Sequence, residues 1–151
     1  MKKPVFLLLS CVMLILCLTG CSHMNIRTTY SFMYDADQIE KIEKGIAFRT
    51  GNGDNNTWSP MDITVDSRLD ESDIERFMTD LKNVDCHTYF GPPNYLWEGT
   101  SVIKISYYNG AYELISPGVQ DKYTEKTEQL GTGKCHFDKE QFDKLVSDYF
   151  A

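Results

Sequence analysis

Residues 101–116 hold two runs of alternating polarity, SVIKISYY and AYELIS, joined by Asn109-Gly110, the dipeptide that most strongly favours a tight reversal. Asn-Gly at this place predicts a two-residue type I′ turn in which both central residues take positive φ. Such a turn pairs Tyr107 with Tyr112 and Ile105 with Leu114, so that Ile103, Ile105, Tyr107, Tyr112 and Leu114 share one face. Lys104, Ser106 and Glu113 then lie on the other face, which their polarity makes the solvated one. An antiparallel sheet wet on one side needs a cover for the other, and two segments supply it.

The first of these opens at Asp70-Glu71-Ser72-Asp73-Ile74-Glu75. Ser72 and Glu75 have capping-box spacing, the acids suit the positive end of the helix dipole, and Leu69, Ile74, Phe77, Met78 and Leu81 form a buried stripe. The second helix starts with Asp138 as N-cap and Gln141 three residues on, with Phe137 and Phe142 at staple positions. Its buried face is Phe142, Leu145, Val146, Tyr149 and Phe150. Further strands are expected at residues 39–50, at 61–66 with Ile63 and Val65 on one face, and at 84–90. Residues 119–123 and 134–137 read as edge strands around a mobile loop at 124–133. The glycine- and asparagine-rich residues 51–56 lack the EF-hand spacing and its terminal Glu, so they read as a plain hairpin connection. The expected fold class is α+β: an antiparallel sheet with two amphipathic helices packed on one face.

The N-terminus carries an address. Lys2 and Lys3 precede an apolar run at residues 5–18, which falls short of the roughly 18 to 20 residues a membrane-spanning helix needs and fits a signal peptide. The run ends in Leu18-Thr19-Gly20-Cys21, which resembles the lipobox of bacterial lipoproteins. In that family the peptide before the cysteine is removed and the cysteine carries the lipid. The resemblance implies a signal peptide at residues 1–20, a lipidated Cys21 with a tether through residue 36, and a single α+β domain at 37–151. It also implies attachment to the extracytoplasmic face of a cell membrane through acyl chains, each buried methylene contributing about 0.8 kcal/mol. More loosely, the body is similar to small uncharacterised lipoproteins of Gram-positive bacteria. There a Tyr-Ser-x-x-Tyr segment, here Tyr30, Ser31 and Tyr34, leads into an Ile-Glu-Lys-Ile-Glu strand, here residues 39–43, with a later hairpin on Asn109-Gly110. That similarity implies no activity.

Of five cysteines, Cys11 and Cys17 fall in the signal and Cys21 in the lipobox, leaving Cys86 and Cys135. Two thiols outside the cytoplasm suggest one disulfide, closing a loop of about 50 residues and contributing about 4 kcal/mol on a chain-entropy argument. Each is followed by a histidine, so a metal site of Cys86, His87, Cys135 and His136 is the competing reading. Adjacent strand residues point to opposite faces and converge poorly on one ion, which favours the bridge, with His87 and His136 as exposed neighbours and no metal or other cofactor.

For function, 15 Lys+Arg against 22 Asp+Glu give a net charge of −7 with no basic stripe, a composition that disfavours nucleic acid. No nucleophile elbow, His-Glu-x-x-His helix or phosphate-cradling glycine loop occurs, and a single domain leaves no cleft for a two-lobed solute binder. The class expected is a lipid-anchored binding or interaction domain without catalysis, an immunity or inhibitor role against an extracellular protein being a sharper version. The segment Gly91-Pro92-Pro93-Asn94-Tyr95-Leu96-Trp97 offers Tyr95 and Trp97 as the partner contact, unless both rings fold back over the end of the sheet.

Overall fold

The computed structural model describes residues 26–50, 59–91, 94–133 and 135–150. Six strands form the larger antiparallel sheet: β2 (Ile39–Arg49), β3 (Met61–Arg68), β5 (Ser101–Tyr107), β6 (Tyr112–Ile115), β7 (Gln120–Tyr123) and β8 (Gln129–Gly133), in the order β3-β2-β5-β6-β7-β8. Three short strands form the smaller one, β1 (Ile26–Thr28), β4 (Cys86–Thr88) and β9 (Cys135–Phe137), in the order β1-β4-β9. Helix α1 (Ile74–Asn83) joins β3 to β4, and α2 (Lys139–Tyr149) follows β9. The expected mixture of antiparallel strands and two helices is present, but the single sheet is corrected to two and the fold is mainly β. The smaller sheet draws three-residue pieces from distant parts of the chain, pairings that no local periodicity announces.

The hairpin forms where Asn109-Gly110 places it, with a different turn. Ile103 pairs with Ile115, Ile105 with Glu113 and Ser106 with Tyr112. The Tyr107 amide donates to the Ala111 carbonyl and the Gly110 amide to the Tyr107 carbonyl, both at 2.9 Å. The loop therefore has three residues, closed by Gly110 at φ +85°, a conformation that an L side chain strains; Asn109 is not at positive φ. Asn109 Oδ1 instead accepts the Ala111 amide at 3.0 Å.

This one-residue slip turns β6 over. Ala111, Glu113 and Ile115 now share the face of Ile103, Ile105 and Tyr107, while Tyr112 and Leu114 join Val102, Lys104 and Ser106. Both faces are covered. The first core contains Ile42, Ile103, Ile105 and Ile115 together with Phe77 and Leu81 of α1, Phe142 and Leu145 of α2, and Cys86 and Phe137. The second contains Ala47, Met61, Ile63, Leu96, Val102, Tyr112, Leu114, Val119 and Tyr123. The solvated face expected for Lys104, Ser106 and Glu113 is thus corrected on all three counts. Lys104 Nζ pairs with Asp62 and lies 4.5 Å from the Tyr112 ring centroid, Ser106 is buried, and Glu113 is inside the first core.

Glu113 is satisfied there rather than solvated. The Tyr30 and Tyr107 hydroxyls donate to its carboxylate, as does the Met33 amide at 2.5 Å, and Lys122 Nζ stands 3.5 Å away. Burial, with the adjacent Glu113 charge, pushes both tyrosines up from their ordinary pKa. Lys122 also donates to the Ser31 carbonyl. The cluster fastens residues 30–33 to the hairpin, which shortens the tether expected through residue 36: Ile26–Thr28 is already a strand and Tyr30 is buried.

At α1 the capping box does not form. Glu71–Asp73 make a 3₁₀ turn in which the Asp73 amide reaches the Asp70 carbonyl and the Ile74 amide the Glu71 carbonyl, so the chain enters the helix through a backbone-bonded turn that starts ahead of Ser72. Leu69, Ile74, Phe77, Met78 and Leu81 are buried as expected. At α2 the Asp138 side chain accepts the Gln141 amide at 2.9 Å, and the Phe137 and Phe142 rings lie 5.3 Å apart. Phe142, Leu145 and Phe150 are buried, Val146 and Tyr149 partly so. The helices meet where Arg76 Nε donates to the Tyr149 hydroxyl at 3.0 Å, which donates to Asp80 at 2.6 Å.

Three further expectations differ. Strand 84–90 contracts to β4, since Val84 still caps α1 and Tyr89 and Phe90 leave the ladder. The loop expected at 124–133 contains β8, paired with β7. Val65 is exposed, opposite Gly45 at a shift in the β2–β3 register. Residues 1–25 with the lipobox and Cys21, the connection at 51–56, and Pro92 and Pro93 lie outside the described residues. No helix among the described residues is long and apolar enough to cross a membrane.

Candidate binding surface and cavity

Leu96 is the fixed point of the segment before β5. Its side chain is 3% exposed in the second core, whereas Tyr95 is 40% and Trp97 70% exposed on either side of it. Residues 97–100 form a turn, with the Thr100 amide donating to the Trp97 carbonyl at 3.2 Å and Gly99 at φ +84° in the third position. That turn is tied to β2: the Gly99 amide donates to the Ala47 carbonyl and the Ala47 amide to the Thr100 carbonyl, both at 2.9 Å. The Glu98 carboxylate accepts the Arg49 amide at 3.3 Å. Trp97 is therefore a large ring held outward by a fixed main chain.

Beneath Tyr95 and Leu96 lies a partly open cavity of about 310 Å³, lined further by Arg49, Ser59 and Met61, by Asp121 and Tyr123 of β7, and by Glu128 and Gln129. Alternation in β7 explains its floor. Val119, Asp121 and Tyr123 point to the second core and Gln120 and Lys122 to the first, so an acid stands among apolar neighbours. Asp121 is 3% exposed, and its Oδ1 has no hydrogen-bond partner among the described residues. Its Oδ2 accepts a long bond, 3.4 Å, from the Tyr123 hydroxyl. Burial pushes the Asp121 carboxyl up to about 6, against the opposing pull of Gln129, Tyr123 and Arg49. Tyr123 is itself pushed up to about 12 by burial and by Asp121. The Tyr112 and Tyr123 rings stack 4.6 Å apart, and both hydroxyls engage the Met61 main chain, Tyr112 donating to its carbonyl at 2.7 Å and Tyr123 accepting its amide at 3.3 Å.

The two cysteines reach disulfide distance, with Cα atoms 5.9 Å apart and a sequence separation of 49. They occupy diagonal positions on β4 and β9, Cys86 opposite Phe137 and Cys135 opposite Thr88, and both are buried in the first core. His87 and His136 face each other on the same strands with their side chains on the reverse face, and Arg27 of β1 is next in the row. His136 stacks on Tyr89 with centroids 4.4 Å apart and lies 3.3 Å from Asn94 Nδ2. Cysteines and histidines are not brought to one point, and among the described residues no group of three or more His, Cys, Asp or Glu is placed to hold a metal ion.

Of the residues singled out in the sequence, Tyr95 and Trp97 flank one segment and Cys86 meets Cys135. Asp121 was missed, although alternation in residues 119–123 was the signal that put it on the face of Val119 and Tyr123. Family models, curated proteins and solved structures give no match to this chain.

Proposed function

We propose that the protein is a lipid-anchored domain on the extracytoplasmic face of a cell membrane that binds another protein through Trp97 and Tyr95 and carries out no catalysis. The observation supporting this reading is the contrast within three consecutive residues, Leu96 buried and Trp97 70% exposed. A rigid aromatic presented at little ordering cost is the kind of residue enriched at interface centres. In this reading the acyl chains on Cys21 hold the domain at the bilayer, a Cys86–Cys135 bridge stabilises the first core in an oxidising compartment, and α1 and α2 cover one face of the larger sheet.

The test combines stability with capture. Trp97→Ala in the soluble domain is expected to change unfolding free energy by no more than about 0.5 kcal/mol, as for other exposed positions, and to abolish capture of the partner retained by the wild-type domain. In the full chain, Cys21→Ala is expected to release the protein from the membrane. Retained capture by Trp97→Ala would reject the contact, and unchanged membrane retention of Cys21→Ala after signal cleavage would reject the anchor.

A further inference from the structure

We propose that the cavity beneath Tyr95 and Leu96 is a binding site for a small organic amine, whose ammonium group is taken by the Asp121 carboxylate. This site shares Tyr95 with the proposed protein contact and does not depend on that contact. Asp121 is 3% exposed, lines the cavity, and keeps Oδ1 without a hydrogen-bond partner among the described residues. A buried carboxylate oxygen with no donor is costly, and an N–H⁺ group supplies the missing donor together with the opposite charge. The rest of the wall selects the kind of cation. Met61 and Leu96 are apolar and Tyr123 presents an aromatic ring, surfaces suited to a hydrocarbon-bearing ammonium compound, while Arg49, the cation in the lining, has its guanidinium 3.9 Å from the Glu98 carboxylate. A hard metal ion would need several oxygen ligands, whereas Glu128, the other carboxylate in the lining, is exposed, and no group of three or more His, Cys, Asp or Glu is placed to hold a metal among the described residues. A volume of about 310 Å³ matches the lower end of small-molecule sites.

The test uses 2-phenylethylamine as the probe and 2-phenylethanol as its neutral counterpart, each titrated calorimetrically into the wild-type domain and two variants near neutral pH. Asp121→Asn keeps the shape and removes the charge, while Ser59→Phe places bulk in the cavity and leaves Asp121 in place. The proposal expects saturable binding of the amine to the wild type, at least about tenfold tighter than binding of the alcohol, and at least about a tenfold loss in each variant. Should one variant fail to fold, the other still decides. No saturable binding of the amine up to about 10 mM, equal binding of amine and alcohol, or undiminished binding in the folded variant would each overturn it.

Discussion

The side-chain amide of Gln120 grips the main chain of Cys135 at both ends: Nε2 donates to the Cys135 carbonyl at 2.5 Å and Oε1 accepts the Cys135 amide at 3.2 Å. Gln120 belongs to β7 of the larger sheet and Cys135 to β9 of the smaller, so one fully buried residue ties the two sheets by hydrogen bonds in addition to packing. Nε2 also donates to the Ser116 carbonyl at 3.2 Å, which fixes the turn between β6 and β7. Replacement Gln120→Leu keeps most of the volume and strands a buried donor and acceptor on Cys135. The expected loss is about 2–6 kcal/mol in urea unfolding, from about 1–3 kcal/mol for each of the two unsatisfied groups. A loss below about 0.5 kcal/mol would mean that packing alone joins the sheets.

A Cys86–Cys135 bridge would join β4 to β9 covalently within the smaller sheet. Protein taken from an oxidising compartment is expected to show no free thiol at either position, and reduction is expected to lower stability by about 2–4 kcal/mol. Thiol titration before and after unfolding measures the first and denaturant midpoints the second. Two freely titrating thiols would contradict the pairing.

Glu113 is the buried charge on which the N-terminal segment depends. Removing it by Glu113→Ala leaves the Tyr30 and Tyr107 hydroxyls, the Met33 amide and Lys122 without their acceptor. The expected cost is about 3–5 kcal/mol, the range for breaking one side of a buried, hydrogen-bonded charge cluster. Hydrogen exchange at the Met33 amide locates the effect, since protection there is expected to fall further than at Ile105. Equal protection in variant and wild type would contradict the clamp.

Asp121 acts in the opposite sense on stability. Its carboxyl is pushed up to about 6 in the folded chain, against about 3.9 for an unperturbed aspartate. Between these values the folded state binds the proton more tightly, so stability falls as pH rises from about 4 to 6, and the penalty is complete above that window. Asp121→Asn carries no such penalty. Its stability relative to wild type is expected to be more favourable at pH 7 than at pH 4 by on the order of 2 kcal/mol, measured by urea unfolding at both values. The same difference at both pH values would contradict the raised pKa.

Local signals were readable from the residues themselves, and non-local ones were not. The Asp138 cap, the Phe137–Phe142 staple and the stripe of α1 depend on neighbours three to five positions away, and each forms. The hairpin was legible to within one residue. Ala111, Tyr112, Leu114 and Ile115 are apolar at both parities, so either register buries apolar groups, and the three-residue turn settles it by bringing Ile115 to Ile103 and Glu113 to Ile105. Glu113 becomes a core residue only because Tyr30 and Met33 arrive from about 80 positions upstream. The smaller sheet poses the same problem, joining residues 26–28, 86–88 and 135–137 through contacts that no sequence period encodes. At the candidate surface, the pattern Tyr95-Leu96-Trp97 marked the aromatics, but which ring the core would claim depended on Leu96 filling a place among Val102, Leu114 and Tyr123.

The most direct measurement of the proposed function is photo-crosslinking in living cells, with a benzophenone amino acid placed at position 97 in one version of the full chain and at position 65 in another. Trp97 and Val65 are both exposed, the first on the proposed contact and the second on edge strand β3. The account predicts a discrete higher-mass protein adduct in the membrane fraction from position 97 and none from position 65. No adduct from position 97, or the same pattern from both positions, would contradict it.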